Sequence, residues 1–147
     1  MQQFIEMTAQ PIDKRDSGAK KPMNEGPMRK RIRVLVVDDE DTLRRTTALL
    51  IKTSGHTPIE ARNGLDAIKV FEKEKVDMII TDLNMPLMDG EELIIRIKKM
   101  DPSIPIAVVT ATEDRDVIPR LLSIGACTVI KKPFSFEQIQ EAIERNV

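Results

Sequence analysis

Tryptophan and tyrosine are missing from this chain, phenylalanine occurs four times, and cysteine and histidine occur once each. A single cysteine excludes an internal disulfide and any cysteine-based metal cluster. Cys127 falls in a strand-like stretch and reads as a small, inert core residue, not a reactive thiol. So few aromatic rings leave no platform for stacking on single-stranded nucleic acid. No apolar run approaches the roughly 18 residues needed to span a bilayer. The N-terminus, MQQFIEMTAQPID, lacks the basic start and apolar block of a secretory signal. The expected location is therefore cytoplasmic, with no membrane partner. Neither G-x-x-x-x-G-K-[ST] nor G-x-G-x-x-G occurs, so no glycine-rich nucleotide cradle is present.

What is present suffices for one domain. The chain has 147 residues, 41% of them hydrophobic and 32% charged, ordinary values for a globular protein. Charge is uneven. Residues 1–33 carry eight basic and four acidic groups; the remainder carries 15 basic and 20 acidic ones. The basic run Arg29-Lys30-Arg31 with Arg33 resembles a nucleic-acid patch. Without interleaved aromatics it reads instead as a solvated lead-in to the first strand, and no nucleic-acid partner is expected. Residues 1–30 hold Pro11, Pro22 and Pro27, many charges and no sustained period. Such a segment buries too little apolar surface to offset its ordering entropy. It is read as a flexible extension in preference to a docked turn built on Phe4, Ile5 and Met7, and the folded domain is placed at 31–147.

From Ile32 a regular alternation begins. Ile32–Val37, His56–Ala61, Val76–Asp82, Ile104–Thr110 and Cys127–Lys131 read as strands. Helices are expected over Asp41–Thr53, with Leu43, Thr47, Leu50 and Ile51 inward, and after Asn63-Gly64, lined by Leu65, Ile68 and Phe71. A third spans Glu91–Met100. Pro119 is tolerated only in a first turn. The fourth helix should therefore start near Val117, with Asp116 as its N-cap. Ser135 to Gln138 is a capping-box sequence, with Phe134 and Ile139 at the positions of a hydrophobic staple. Strands joined by helices run parallel with right-handed crossovers. The fold class is α/β: a doubly wound, three-layer (βα)5 flavodoxin-like sandwich whose five-stranded sheet has the order 2-1-3-4-5.

The central stretch, VDMIITDLNMPLMDG, is an apolar run that stops on Asp82 and turns at once. Such a run reads as a strand buried on both faces. Asp82 then sits at the carboxyl edge of the sheet, where open α/β folds bind ligands. Asp38-Asp39 ends the first strand beside it, and Lys131-Lys132 ends the last. A carboxylate there needs a partner. Three carboxylates without histidine or thiol form a hard-oxygen site suited to Mg²⁺. A cation plus a lysine suggests a phosphoryl group neutralised from two sides. Thr110 offers a hydroxyl at the same edge, and an aspartate can itself accept the group as a nucleophile. Alternation alone does not choose between Lys131 and Lys132. The bland alternatives are helix-start acids for Asp38, Glu40 and Asp41, and a snorkelling surface lysine for Lys132. His56 reads as a surface loop residue, Met85 and Met88 as loop and rim packing, and Gly125 as a helix terminator.

In order and spacing, VLVVDDE, TDLNMPLMDG, VVTA and IKKPF resemble the receiver domain of two-component response regulators, over residues 32–147. The resemblance implies that Asp82 is the phosphoacceptor. It implies that Asp39 binds Mg²⁺ directly and Asp38 through water, with Asp82 and the Asn84 carbonyl completing the protein ligands. Thr110 would hydrogen-bond the phosphoryl group, and Lys132, before a cis Pro133, would pair with it. The implied partners are a histidine kinase or phosphotransfer protein and a downstream target protein. Such a module catalyses its own phosphorylation and dephosphorylation and is not a conventional multiple-turnover enzyme. One departure stands out: the family's switch aromatic is replaced by Val129. Phosphorylation is then expected still to shift the loop after Thr110, with a read-out that is weaker or that uses the fourth helix and its Pro119. A degenerate receiver that only binds protein is the alternative. An aspartyl phosphatase of the haloacid dehalogenase kind fits the Asp39-Glu40-Asp41 spacing but leaves Asp82 without a role.

Overall fold

The computed structural model describes residues 30–147, which takes in the second of two units, Arg31–Val147. The extension read over residues 1–30 lies, but for Lys30, outside the described residues. Among the described residues, five strands alternate with five helices: β1 Arg33–Val37, α1 Asp41–Thr53, β2 Thr57–Ala61, α2 Gly64–Lys73, β3 Met78–Asp82, α3 Gly90–Met100, β4 Ile106–Thr110, α4 Val117–Ser123, β5 Thr128–Lys131 and α5 Phe136–Asn146. All sheet pairings are parallel, and the strand order is β2-β1-β3-β4-β5. This is the doubly wound sandwich that the alternation predicts.

Apolar surface is buried on both faces of the sheet. On one side Leu35, Val37, Ile79, Ile106 and Val108 pack against Leu93, Ile94, Ile97 and Leu121. On the other, Val34, Val36, Met78, Ile80 and Val109 pack against Ile51, Ile139 and Ile143. Strand side chains point alternately to opposite faces, so the uninterrupted apolar runs supply both cores at once.

Several helix ends follow the expected chemistry. Asn63 and Asp89 cap α2 and α3, their side chains accepting from Asp66 N and Glu92 N. Ser135 and Gln138 close a reciprocal capping box on α5, with Phe134 and Ile139 in the same apolar cluster. Gly55 and Gly125 follow α1 and α4 at positive φ, +93° and +125°. Helix α4 does begin at Val117, but the Asp116 side chain makes no capping bond and its backbone is already helical.

Three positions read as inward, and Met88, depart from the reading. Leu65 is 44% exposed, while Gly64 and Ala67 are the buried residues of α2. The inner face of α1 is Arg44, Thr47, Ala48 and Ile51, with Leu43 and Leu50 only half-buried. The hydrophobic stripe is therefore rotated, because Arg44 takes a central place on it. Met88 is no rim residue: it is buried in the core, where it packs on Gly64. Cys127 is half-buried against the second cluster, and burial raises its thiol pKa, which keeps the thiol protonated. His56 is half-buried too, its Nδ1 accepting from the Ile32 amide at 3.2 Å.

Candidate functional site

Three strand ends build the site. β1 runs directly into Asp38 and Asp39, β3 ends on Asp82, and β4, which pairs with β3, ends on Thr110. In the β3–β4 register Asp82 stands opposite Val109, so Thr110 lies one residue beyond it. The β5 strand ends on Lys131, and Lys132 follows it, before a cis bond to Pro133. Parallel strands point their carboxyl ends the same way, which brings these residues to one edge.

The acids converge. Carboxylate oxygens of Asp38, Asp39 and Asp82 all lie within 4.8 Å of one another. Asp38 is buried, Asp39 exposed and Asp82 between. Lys132 Nζ donates to Asp82 Oδ1 at 3.2 Å, and the Leu83 amide donates to the same oxygen at 2.8 Å. The Asp38 carboxylate accepts from the Glu40 amide at 2.9 Å. Burial pushes the Asp82 carboxyl above the ordinary carboxylate value, opposed by the Lys132 ammonium. Burial also raises Asp38, opposed by the Glu40 amide and reinforced by the Asp82 charge. Clustered oxygen donors of this kind, with no histidine or cysteine among them, fit a small divalent cation such as Mg²⁺.

The two neighbouring lysines point different ways. Lys132 faces Asp82, whereas Lys131 turns outward, donating to the Thr112 carbonyl at 2.8 Å and pairing with Glu113 at 3.4 Å. Thr110 is fully buried; its Oγ1 accepts from the Thr112 amide at 3.1 Å. Asn84 is exposed, two residues past Asp82. The turn after Asp82 is closed by the Gly90 amide donating to the Leu83 carbonyl at 2.7 Å. Val129, half-buried, packs against the first core cluster. A void of about 10 Å³, room for one water, lies among Asp38, Asp82, Thr47, Thr81 and Phe134. A groove of about 440 Å³ runs beside Lys132 between α1 and the segment 133–134, lined by Leu43, Leu50, Ala111 and Phe134.

Arg44 was not among the residues singled out from the sequence. It is buried beneath the acid turn, and Nη1 donates to the Asp38 carbonyl oxygen at 3.0 Å. The available signal was its place on one helical stripe with Thr47, Ala48 and Ile51.

Comparison with known proteins agrees with this geometry. The profile of the response regulator receiver domain matches residues 34–144. Sporulation initiation phosphotransferase F of Bacillus subtilis is 32% identical over 113 residues, covering 77% of this chain and 91% of that protein. Chemotaxis protein CheY of Listeria monocytogenes is 32% identical over 115 residues, covering 78% of this chain and 97% of that one. Among solved structures, chemotaxis protein CheY4 of Vibrio cholerae superposes with a TM-score of 0.75 at 26% identity, over 80% of this chain and all of that one.

Proposed function

The chain belongs to the response regulator receiver domain family, a phosphoacceptor signalling module, and from that premise we propose that Asp82 takes a phosphoryl group from a histidine kinase or phosphotransfer protein. A carboxylate oxygen of Asp82 forms the new O–P bond as the donor's P–N bond breaks, and the donor imidazole leaves with the electron pair. Asp39 and Asp82 would hold Mg²⁺ directly, Asp38 through water, and the Asn84 carbonyl would complete the protein ligands. When bound, Mg²⁺ neutralises charge on the phosphoryl oxygens. Lys132 supplies the second positive charge, and the Thr110 hydroxyl, whose oxygen accepts from the Thr112 amide, has its proton free to donate to the group.

The observation that carries this reading is the Lys132 Nζ contact to Asp82 at 3.2 Å inside a three-acid cluster. A structural ion pair alone would not require two further carboxylates against it. The protein donor is expected on the rim, where the groove beside Lys132 offers apolar contact next to the acceptor. Signalling onward is by protein contact or phosphorelay. With Val129 in the switch position, read-out is assigned to the loop after Thr110 and to α4.

The test is intact-protein mass after incubation with acetyl phosphate and Mg²⁺. One phosphoryl group is expected on the wild type, none on Asp82→Ala, and none on either with EDTA. No gain on the wild type under any condition would overturn the proposal and leave a receiver that acts only as a protein-binding module.

A further inference from the structure

Arg44 is the one buried cation among the described residues, 5% exposed. A guanidinium out of water needs acceptors along its edges, and it has three. Nε donates to Glu60 Oε1 at 3.0 Å. Nη2 pairs with Asp41 Oδ1 at 2.8 Å. Nη1 donates to the Asp38 carbonyl oxygen at 3.0 Å. The first two acceptors are solvent-facing carboxylates, and they tie α1 to itself and to β2. The third is a buried peptide oxygen, and that peptide joins Asp38 to Asp39.

Holding this oxygen fixes the plane of the Asp38–Asp39 peptide. The next peptide is anchored as well, its Glu40 amide donating to the Asp38 carboxylate, so the backbone is held on both sides of the point from which the Asp39 side chain projects. Asp38 has other anchors: its amide donates to the Ala61 carbonyl at 3.2 Å, and its carboxylate is held by the Glu40 amide at 2.9 Å. Asp39 is exposed, so its direction depends on the backbone either side of it. We infer that Arg44 is a positioning residue for the divalent-cation site: through the Asp38 carbonyl it aims the Asp39 carboxylate and so strengthens Mg²⁺ binding. This rests on the reading of the site as a Mg²⁺-dependent phosphoacceptor.

Charge and geometry make opposite predictions. Arg44 is a cation bonded to the peptide that joins two of the site's acids. By Coulomb attraction alone, removing it leaves the site more negative and tightens Mg²⁺ binding. Positioning predicts a loss instead, because groups that orient metal ligands are typically worth tenfold or more in affinity.

The test is calorimetric titration of MgCl₂ into wild type, Arg44→Met, Arg44→Lys and Glu60→Ala, joined to amide hydrogen exchange at Asp39 and Glu40 in EDTA. Both Arg44 variants are expected to bind Mg²⁺ about tenfold more weakly and to exchange faster at those amides. Lysine keeps the charge but not the fork, so it serves if the methionine variant fails to fold. Glu60→Ala removes a strand tie without touching the Asp38 carbonyl; it is expected to lower stability and leave Mg²⁺ affinity within about twofold, as for a rim charge. Unchanged or tighter Mg²⁺ binding in the Arg44 variants overturns the inference, as does an equal loss in Glu60→Ala. Wild-type protein that takes up no Mg²⁺ overturns the site reading and this inference together. The exchange data, taken without metal, separate that failure from a failure of Arg44 to hold the acid turn.

Discussion

An alanine methyl at Gly90 would stand 2.5 Å from the Asp82 carbonyl oxygen and 3.0 Å from Leu83 Cα. Both obstacles are backbone, so neither can swing aside, and the turn after β3 would have to shift. Gly90→Ala is expected to cost about 2–3 kcal/mol, the upper range for overpacking, read as a lower midpoint in urea. Because the displaced atoms belong to Asp82 and its neighbour, phosphorylation by acetyl phosphate should slow as well. Asp38, Asp39, Asp82 and Thr110 were legible because each ends or follows an apolar run, and polarity at that point has no structural excuse. Lys132 was legible only as one of two neighbours until its distance to Asp82 was known. Arg44 was not read, since a lone arginine on a helix ordinarily faces solvent. Its burial depends on Glu60, 16 residues away, and on a backbone oxygen, neither of which leaves a mark in local sequence.

The five strands end where the sequence says they end, on Val37, Ala61, Asp82, Thr110 and Lys131, but begin one or two residues late. Polar and turn residues punctuate the carboxyl ends, and that punctuation is also what builds the site. At the amino ends an apolar run reports burial and not ladder pairing: Ile32 and Ile104 are buried at 3% and 4% exposure yet precede their strands. Helix caps divide the same way. Ser135 and Asp116 look alike as N-cap candidates, but only Ser135 accepts a capping bond. Ser135→Ala should therefore cost about 1 kcal/mol, and Asp116→Ala within about 0.5 kcal/mol of nothing. Paired thermal melts of the two variants check this; equal losses would mean that Asp116 caps α4 after all.

Across the whole molecule, the acid cluster opposes folding in the absence of metal. The Asp38 carboxyl lies above its ordinary value of 3.8 in the folded protein. The folded state then binds more protons than the unfolded one between those two values. The favourable contribution is complete below 3.8 and is lost as pH rises through the displaced folded value. In EDTA at pH 7.5, Asp38→Asn should accordingly be more stable than wild type, on the order of 1 kcal/mol, and the advantage should shrink toward pH 5. Mg²⁺ requires the deprotonated acids, so saturating Mg²⁺ should reverse the order at pH 7.5. Thermal midpoints of both proteins under these three conditions provide the check. An advantage that grows on acidification would contradict the burial argument.

Lys132 reaches Asp82 across 50 residues of chain, and it does so only after β5 has joined the far side of β4. A growing polypeptide therefore contains Asp82 well before it contains the ammonium that pairs with it. On the proposed reading of Asp82 as acceptor, competence to take a phosphoryl group would then arrive only with the final strand.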